Sequence, residues 1–300
     1  VGSEMCIRDS VSSGGICLIQ MLNILENFDM SKYKITDPER IHILSEVFKI
    51  VFADRNKYIG DPEYVNIPIE GLISKKYASE RSKEINLSQS QDYNYSTNFL
   101  ENEGSNTTHF NVSDEEGNIV SMTQTINNAF GSRVAVNDTG MLLNNCMLLF
   151  DPHSGNANSI NPYKRSLSSM TPTIISRDKK PYIVLGTPGG RRIFGAVCQA
   201  LLALIDNKFS LQASVESPRV WTDGDTLELE YEFPDKTINK LNSMGHNTIS
   251  VNRVAGGMNA IMFENNMMEG AACHRADGSP SGFSGGYALP SKPGDAFRDY

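Results

Sequence analysis

A long polar stretch, Ser88 to Ser105, runs into Asn106 and then Thr107, where the character of the chain changes. Upstream of the junction the residues are polar, nonrepetitive and poor in apolar side chains, which predicts a mobile surface loop. From Thr107 the pattern alternates, with Thr108, Phe110 and Val112 set between polar residues, which predicts a strand. A hydroxyl at the mouth of a strand, directly after such a loop, can attack the preceding carbonyl, that of Asn106. The resulting N-to-O shift makes an ester, and water then releases Thr107 as a new N-terminus. A free α-amine titrates near about 8, so it accepts a proton at neutral pH and can activate the hydroxyl of its own residue. One residue would then supply both nucleophile and base. Two plainer readings fit the same residues. Thr107-Thr108 suits the start of any strand, and Asn106-Thr107-Thr108 matches a glycosylation acceptor.

A second group with chemical potential is Gly186-Thr187-Pro188-Gly189-Gly190, between an apolar strand pattern and an apolar helix pattern. Gly189 and Gly190 at a helix start present bare backbone N–H groups and a positive dipole end to a developing oxyanion. A phosphate loop is the competing reading, with Arg191 and Arg192 as partners. The segment lacks both the G-K-[ST] and the G-x-G-x-x-G arrangements that such loops use.

The elements that must position these groups can be read from periodicity. Apolar residues at Cys17, Leu18, Met21, Leu22 and Leu25 predict a helix over 16–28. Asp37-Pro38 marks the start of a second, running to about Arg55, with Asp37 as N-cap. A shorter third is predicted over 71–86. Thr107 to Thr125 reads as a hairpin turning at Asp114–Asn118. Further strands are predicted at 170–176 and 182–186, around a turn at 177–179. A buried helix then runs to Ile205, and short strands fall near Leu227 and Ile261. Paired strands followed by helices predict a layered α+β fold.

Composition narrows the function. Of 300 residues, 39% are hydrophobic and 21% charged, and the net charge is −8. With a pI near 5.2 and scattered basic residues, nucleic acid is excluded as a main partner. The apolar run from Ile193 to Ile205 is too short to span a bilayer. Neither the five cysteines nor the five histidines show a disulfide framework or metal-ligand spacing, so no metal and no cofactor are expected.

Seven segments taken together resemble the γ-glutamyltranspeptidase (glutathione hydrolase) family, in order and at suitable spacing. Ser12-Ser13-Gly14-Gly15, Leu22 to Glu26 and Ala53-Asp54-Arg55 with Gly60-Asp61-Pro62 are similar to the end of its large subunit. Thr107-Thr108-His109-Phe110 through Asn127, Gly140 to Asn145, Lys164 to Thr173, and Gly186 to Gly190 are similar to its small subunit. The resemblance implies a four-layer αββα sandwich of the N-terminal-nucleophile hydrolases. It also implies cleavage between Asn106 and Thr107, with Thr107 as the nucleophile. Thr125 would bond that nucleophile and assist processing, and Gly189 and Gly190 would form the oxyanion hole. Asn127 and the pair Ser168-Ser169 would hold the amino and carboxylate ends of a γ-glutamyl substrate such as glutathione. Arg165 matches a position close by and reads as structural support.

The implied organisation is a non-family remnant at 1–10, the end of the large subunit at 11–106, the small subunit at 107–283 and a tail at 284–300. No basic-then-apolar leader opens the chain. The resemblance implies that it starts within a longer precursor whose two subunits are each other's partners, in a periplasmic or extracellular setting. Two departures bear on specificity. Cys146 and Leu149 stand where the family carries a polar residue and an aspartate that pairs with the substrate ammonium. The stretch 151–163, shorter than in many members, implies an open, wet site that favours hydrolysis over transfer. The alternatives are an amidase of another acyl specificity, similar to cephalosporin acylases, and a noncatalytic member.

Overall fold

A computed structural model describes residues 11–93, 106–265 and 267–283. The segments 1–10 and 284–300, set apart above, lie outside them, as does 94–105 of the polar loop.

Helix α1 (Gly14–Leu25) crosses the long helix α2 (Pro38–Tyr58), which is buried along almost its whole length. Pro38 opens α2 as expected, but the Asp37 side chain makes no bond to the first turn. It turns back and accepts from the Lys34 N–H at 2.8 Å. The helix expected at 71–86 is two short ones, α3 (Ile69–Leu72) and α4 (Lys75–Ser82). Ser74 takes an extended backbone between them, and its hydroxyl accepts from Tyr77 N at 3.1 Å. A serine that caps a following turn competes with continuing the helix through itself.

The start of the polar loop is not loose. Gln91 N and the Tyr93 hydroxyl both donate to the buried Glu46 carboxylate of α2, at 3.0 and 2.8 Å. Lys49 Nζ bonds the Ser90 hydroxyl at 2.6 Å. A polar segment can be fixed where a buried charge supplies the bonds that its backbone needs.

The strands follow in chain order. β1 (Val11–Ser12) lies parallel to β4 (Leu167–Ser168), while β2 (Thr107–Ser113) and β3 (Ile119–Thr125) form the predicted hairpin. β5 (Thr173–Arg177) and β6 (Lys180–Gly186) turn through Asp178 and Lys179, both with positive φ. Helices α5 (Ile193–Ile205) and α6 (Leu211–Glu216) follow. β7 (Val220–Trp221), β8 (Leu227–Glu230), α7 (Asp235–Ser243) and β9 (Thr248–Val251) make a small side sheet with its helix. The chain then returns as β10 (Asn259–Glu264) and β11 (Met267–Ala272), giving an antiparallel sheet of order β11-β10-β6-β5.

Alternation along β6 sorts the layers. Ile183 and Leu185 join the apolar core with α1, α2 and α5, where the Phe52 and Phe194 rings meet at a tilt with centroids 4.9 Å apart. Gly186 faces the hairpin, and a Cβ there would come within 2.3 Å of the His109 ring. Asn111 Nδ2 donates to Asn259 O at 2.9 Å, and Asn259 Nδ2 donates to His109 O at 2.8 Å, so the two sheets are stitched in both directions. Helices, sheet and hairpin therefore stack as three successive layers of the αββα sandwich.

Candidate active site

The predicted junction is built at the end of the hairpin. Thr107 and Thr125 are directly opposed across β2 and β3, so both side chains emerge on one face. The Thr107 hydroxyl donates to Thr125 Oγ1 at 2.8 Å, and the Thr125 hydroxyl donates to the carbonyl of Asn106 at 3.2 Å. Asn127 N donates to Thr125 Oγ1 at 2.8 Å, which orients that hydroxyl. The ladder continues past the strand ends, from Asn106 N to Asn127 O at 3.2 Å and from Ile126 N to Asn106 O at 3.5 Å. The Asn106 carbonyl thus already faces two donors.

Asn127 reaches this place because its backbone is left-handed, φ 69°, a conformation that asparagine tolerates. Its side chain is buried and donates to Asn145 O at 3.4 Å. His109, two residues along β2, is not a base for Thr107. Its ring bonds Thr123 Oγ1 and Asn111 Oδ1, and burial pushes its pKa down to about 4.

Gly189 and Gly190 lie in the loop that leaves β6 just beyond Gly186, where the His109 ring packs. Both have positive φ, 140° and 56°. Among the described residues neither backbone N–H is spent on a partner. A short 3-10 turn, Gly190–Arg192, then enters α5. The phosphate-loop reading fails here, because Arg191 pairs with Asp223 at 2.8 Å and Arg192 with Glu228 at 2.6 Å.

Ser168 and Ser169 are buried, with Ser168 in register against Ser12 of β1. Arg55, in the last turn of α2, donates to Ser169 Oγ at 3.2 Å and to Ser13 Oγ at 2.9 Å. Ser13 in turn bonds Ser168 O through both its hydroxyl and its N–H. Arg55 was not singled out from the sequence, where a basic residue in a last helical turn reads as a dipole partner. Arg165 is structural, as expected. It forks onto the buried Asp61 carboxylate at 2.7 and 3.1 Å and holds that carboxyl down to about 2.

The specificity departures have a definite geometry. Cys146 to Leu149 form a 3-10 turn beside Asn145. A groove of about 680 Å³ opens there, lined by Asn128, Arg133, Asn145, Met147 and Leu148 among others. Leu149 is half-buried, and the nearest carboxylate along the chain, Asp151, is fully engaged by His153 and Asn156 within the short loop.

One cluster among the described residues has metal-like composition, the buried His42, Glu46 and His246. Its ligand atoms are already paired. His42 Nδ1 meets His246 Nε2 at 2.7 Å, His42 Nε2 meets Asn86 O at 2.8 Å, and the Lys49 ammonium sits on Glu46 at 2.7 Å. An ammonium in contact with the carboxylate supplies the positive charge that a cation would bring, so these residues do not fit a metal. Among the described residues no helix is long and apolar enough to cross a membrane.

The gamma-glutamyltranspeptidase family model matches residues 2–283. An acylase ACY 1 proenzyme from Pseudomonas sp. (strain SE83) is 45% identical over 96% of this chain, and a glutathione hydrolase proenzyme from Bacillus subtilis (strain 168) is 38% identical over 94%. In each case the match covers 51% of the relative, so the chain spans about half the length of these proteins. Among solved structures, a cephalosporin acylase from Bacillus halodurans superposes over 92% of this chain and 52% of its own, at a TM-score of 0.79 and 25% identity. A γ-glutamyltranspeptidase from Pseudomonas nitroreducens, complexed with L-DON, covers 58% of this chain and 98% of its own, at a TM-score of 0.55 and 35% identity. With the motif order, the opposed threonines and the layered fold pointing the same way, the chain belongs to the γ-glutamyltranspeptidase family.

Proposed function

We propose that this chain is the self-cleaving, catalytic half of an N-terminal-threonine acyl hydrolase, with Thr107 as nucleophile. The observation that carries this reading is the hydroxyl relay Thr107 to Thr125 to the carbonyl of Asn106. In the uncut chain, Thr107 Oγ1 attacks the Asn106 carbonyl carbon. The charge that develops on its oxygen meets the Thr125 hydroxyl and the Ile126 N–H. As the C–N bond breaks, the proton lost by the hydroxyl ends on the freed nitrogen. Water then cleaves the ester, leaving a carboxylic acid on Asn106 and restoring the Thr107 hydroxyl.

The new α-amine next serves as the base for the same hydroxyl, in attack on an acyl substrate. The N–H groups of Gly189 and Gly190 would receive that second oxyanion, and Ser168, Ser169 and Asn127 would orient the acyl chain. Hydrolysis is favoured over transfer, because the stretch 151–163 folds into a compact turn on its own bonds. The relatives named as glutathione hydrolases support a γ-glutamyl compound as the acyl donor.

A second acyl specificity is favoured by one observation. Leu149 offers no charge, and Asp151 is occupied, so this turn presents no free carboxylate to an α-ammonium. That suits an acyl group without the ammonium, as in a glutaryl amide, and the more identical relative is an acylase. The test uses the full-length protein on a denaturing gel, beside Thr107→Ala. Cleavage should release a fragment whose N-terminal residue is Thr107, read by N-terminal sequencing of the smaller band. The alanine variant should stay whole. An unmutated protein that also stays whole after long incubation overturns the reading.

A further inference from the structure

The loop that carries Gly189 and Gly190 is held from behind by a second turn. Ala255 has φ 63°, a left-handed backbone that alanine rarely adopts. Its Cα and Cβ fill the space where a Cβ on Gly189 would lie, at 2.5 and 2.6 Å. Next to it, Gly256 N donates to Pro188 O at 2.8 Å, and the Thr187 hydroxyl donates to Gly256 O at 3.0 Å. The glycine loop and the Ala255 turn therefore fit only in one mutual arrangement.

The Ala255 turn is in turn fixed by buried charge. Val254 N donates to Glu230 Oε1 at 2.7 Å, and Arg219 Nη1 donates to Val254 O and Gly256 O at 3.3 and 3.1 Å. Glu230 also accepts from Arg219 N at 2.8 Å and from Arg275 Nε at 2.6 Å, and it pairs with Arg275 Nη2. Arg219, Glu230 and Arg275 are each at most 5% exposed. A buried charge cluster of this kind is a poor source of stability, because desolvation consumes most of its attraction. It can nonetheless define the turn, because moving the turn would leave a buried charge without its partners. An alanine persists at positive φ only where its surroundings over-determine it, and here the backbone groups on both sides of Ala255 are bonded.

We propose that the Arg219–Glu230–Arg275 cluster positions the Gly189–Gly190 oxyanion donors, acting through the left-handed Ala255 turn. This rests on the reading of that loop as the oxyanion hole. The cluster touches no substrate. It sets where two N–H groups point, and donors of this kind act only when placed within a few tenths of an ångström of the developing charge.

The discriminating variant is Ala255→Gly in the full-length, processed protein. Glycine accepts φ 63° without strain, so the thermal midpoint should hold or rise, while the turn loses the methyl that packs behind Gly189 and the backbone restriction that comes with it. With γ-glutamyl-p-nitroanilide and glutaryl-p-nitroanilide as probes, kcat on the better substrate should fall at least about 10-fold, with KM within about 2-fold. Cleavage before Thr107, which uses the Thr125 and Ile126 donors, should be unchanged. Glu230→Gln should lower kcat in the same way in whatever fraction folds. An Ala255→Gly protein with the parent's kcat and KM overturns the inference. Gly190→Ala separates it from the loop reading. If Gly190→Ala leaves kcat intact, the oxyanion assignment itself fails. If Gly190→Ala is impaired and Ala255→Gly is not, only the positioning role falls.

Discussion

The hydroxyls of Thr107 and Thr125 lie 2.8 Å apart across a directly opposed strand pair, and the second of them also reaches the carbonyl on which the first would act. Thr125 is thus bonded to both the attacking atom and the oxygen that would take up charge. Thr125→Val should keep the strand but remove the donor, and it should slow cleavage before Thr107 by about 100-fold. Thr125→Ser should cleave within about 10-fold of the parent rate. The half-time of band conversion on a denaturing gel measures both.

His109 sits close to the nucleophile but is held neutral, with burial pushing its pKa down to about 4. A histidine free in the unfolded chain takes its proton near about 6.5. Between those values the unfolded state binds the extra proton, so stability falls as pH drops from about 6.5 towards about 4, and the loss is complete only below the folded pKa. The His109 ring proton shifts should stay constant from pH 8 to 5.5 in a nuclear magnetic resonance titration. A midpoint near 6.5 would contradict the buried, bonded ring.

The contact between Gly186 and the His109 ring predicts a packing defect. A methyl at Gly186 would lie 2.3 Å from the ring, which is itself buried and bonded to Thr123 and Asn111. Gly186→Ala should cost about 3 kcal/mol, near the upper end for overpacking. The urea midpoint should fall accordingly. His109→Ala combined with Gly186→Ala should lose less than the sum of the single changes, because the clash is then removed.

Acyl choice should respond to Leu149. Leu149→Asp would place a carboxylate in the turn beside Asn145, within the segment that departs from the family pattern. The ratio of kcat/KM for γ-glutamyl-p-nitroanilide over glutaryl-p-nitroanilide should rise by about 10-fold or more, since a paired ammonium carries a charge-assisted bond that the glutaryl group lacks. An unchanged ratio would remove Leu149 from the specificity argument.

Much of this architecture is local and therefore visible in the chain. The period-two pattern after Thr107, the turn at Asp114–Asn118 and the Pro38 start of α2 are short-range signals, and each element stands where its residues place it. The break at Ser74 was less legible, because one capping bond to Tyr77 outweighs a helical pattern that continues through it. The order of motifs carried the family, and with it the pairing of Thr107 and Thr125. What needed the tertiary structure was every contact between segments far apart in sequence. Arg55 reaches Ser169 across 114 positions, Glu46 fastens a loop 45 positions on, and Arg219 and Glu230 grip the turn behind Gly189. A buried charge leaves no periodic trace, since its partners are chosen by where the layers meet. The sequence alone thus determined most of the elements and the layered class, set by backbone preference and spacing, while the nucleophile candidate came with the resemblance that the motif order carries. Only packing decided which polar side chains are spent on holding the fold and which remain for chemistry, because burial leaves each of them with the partners that the layers bring within reach.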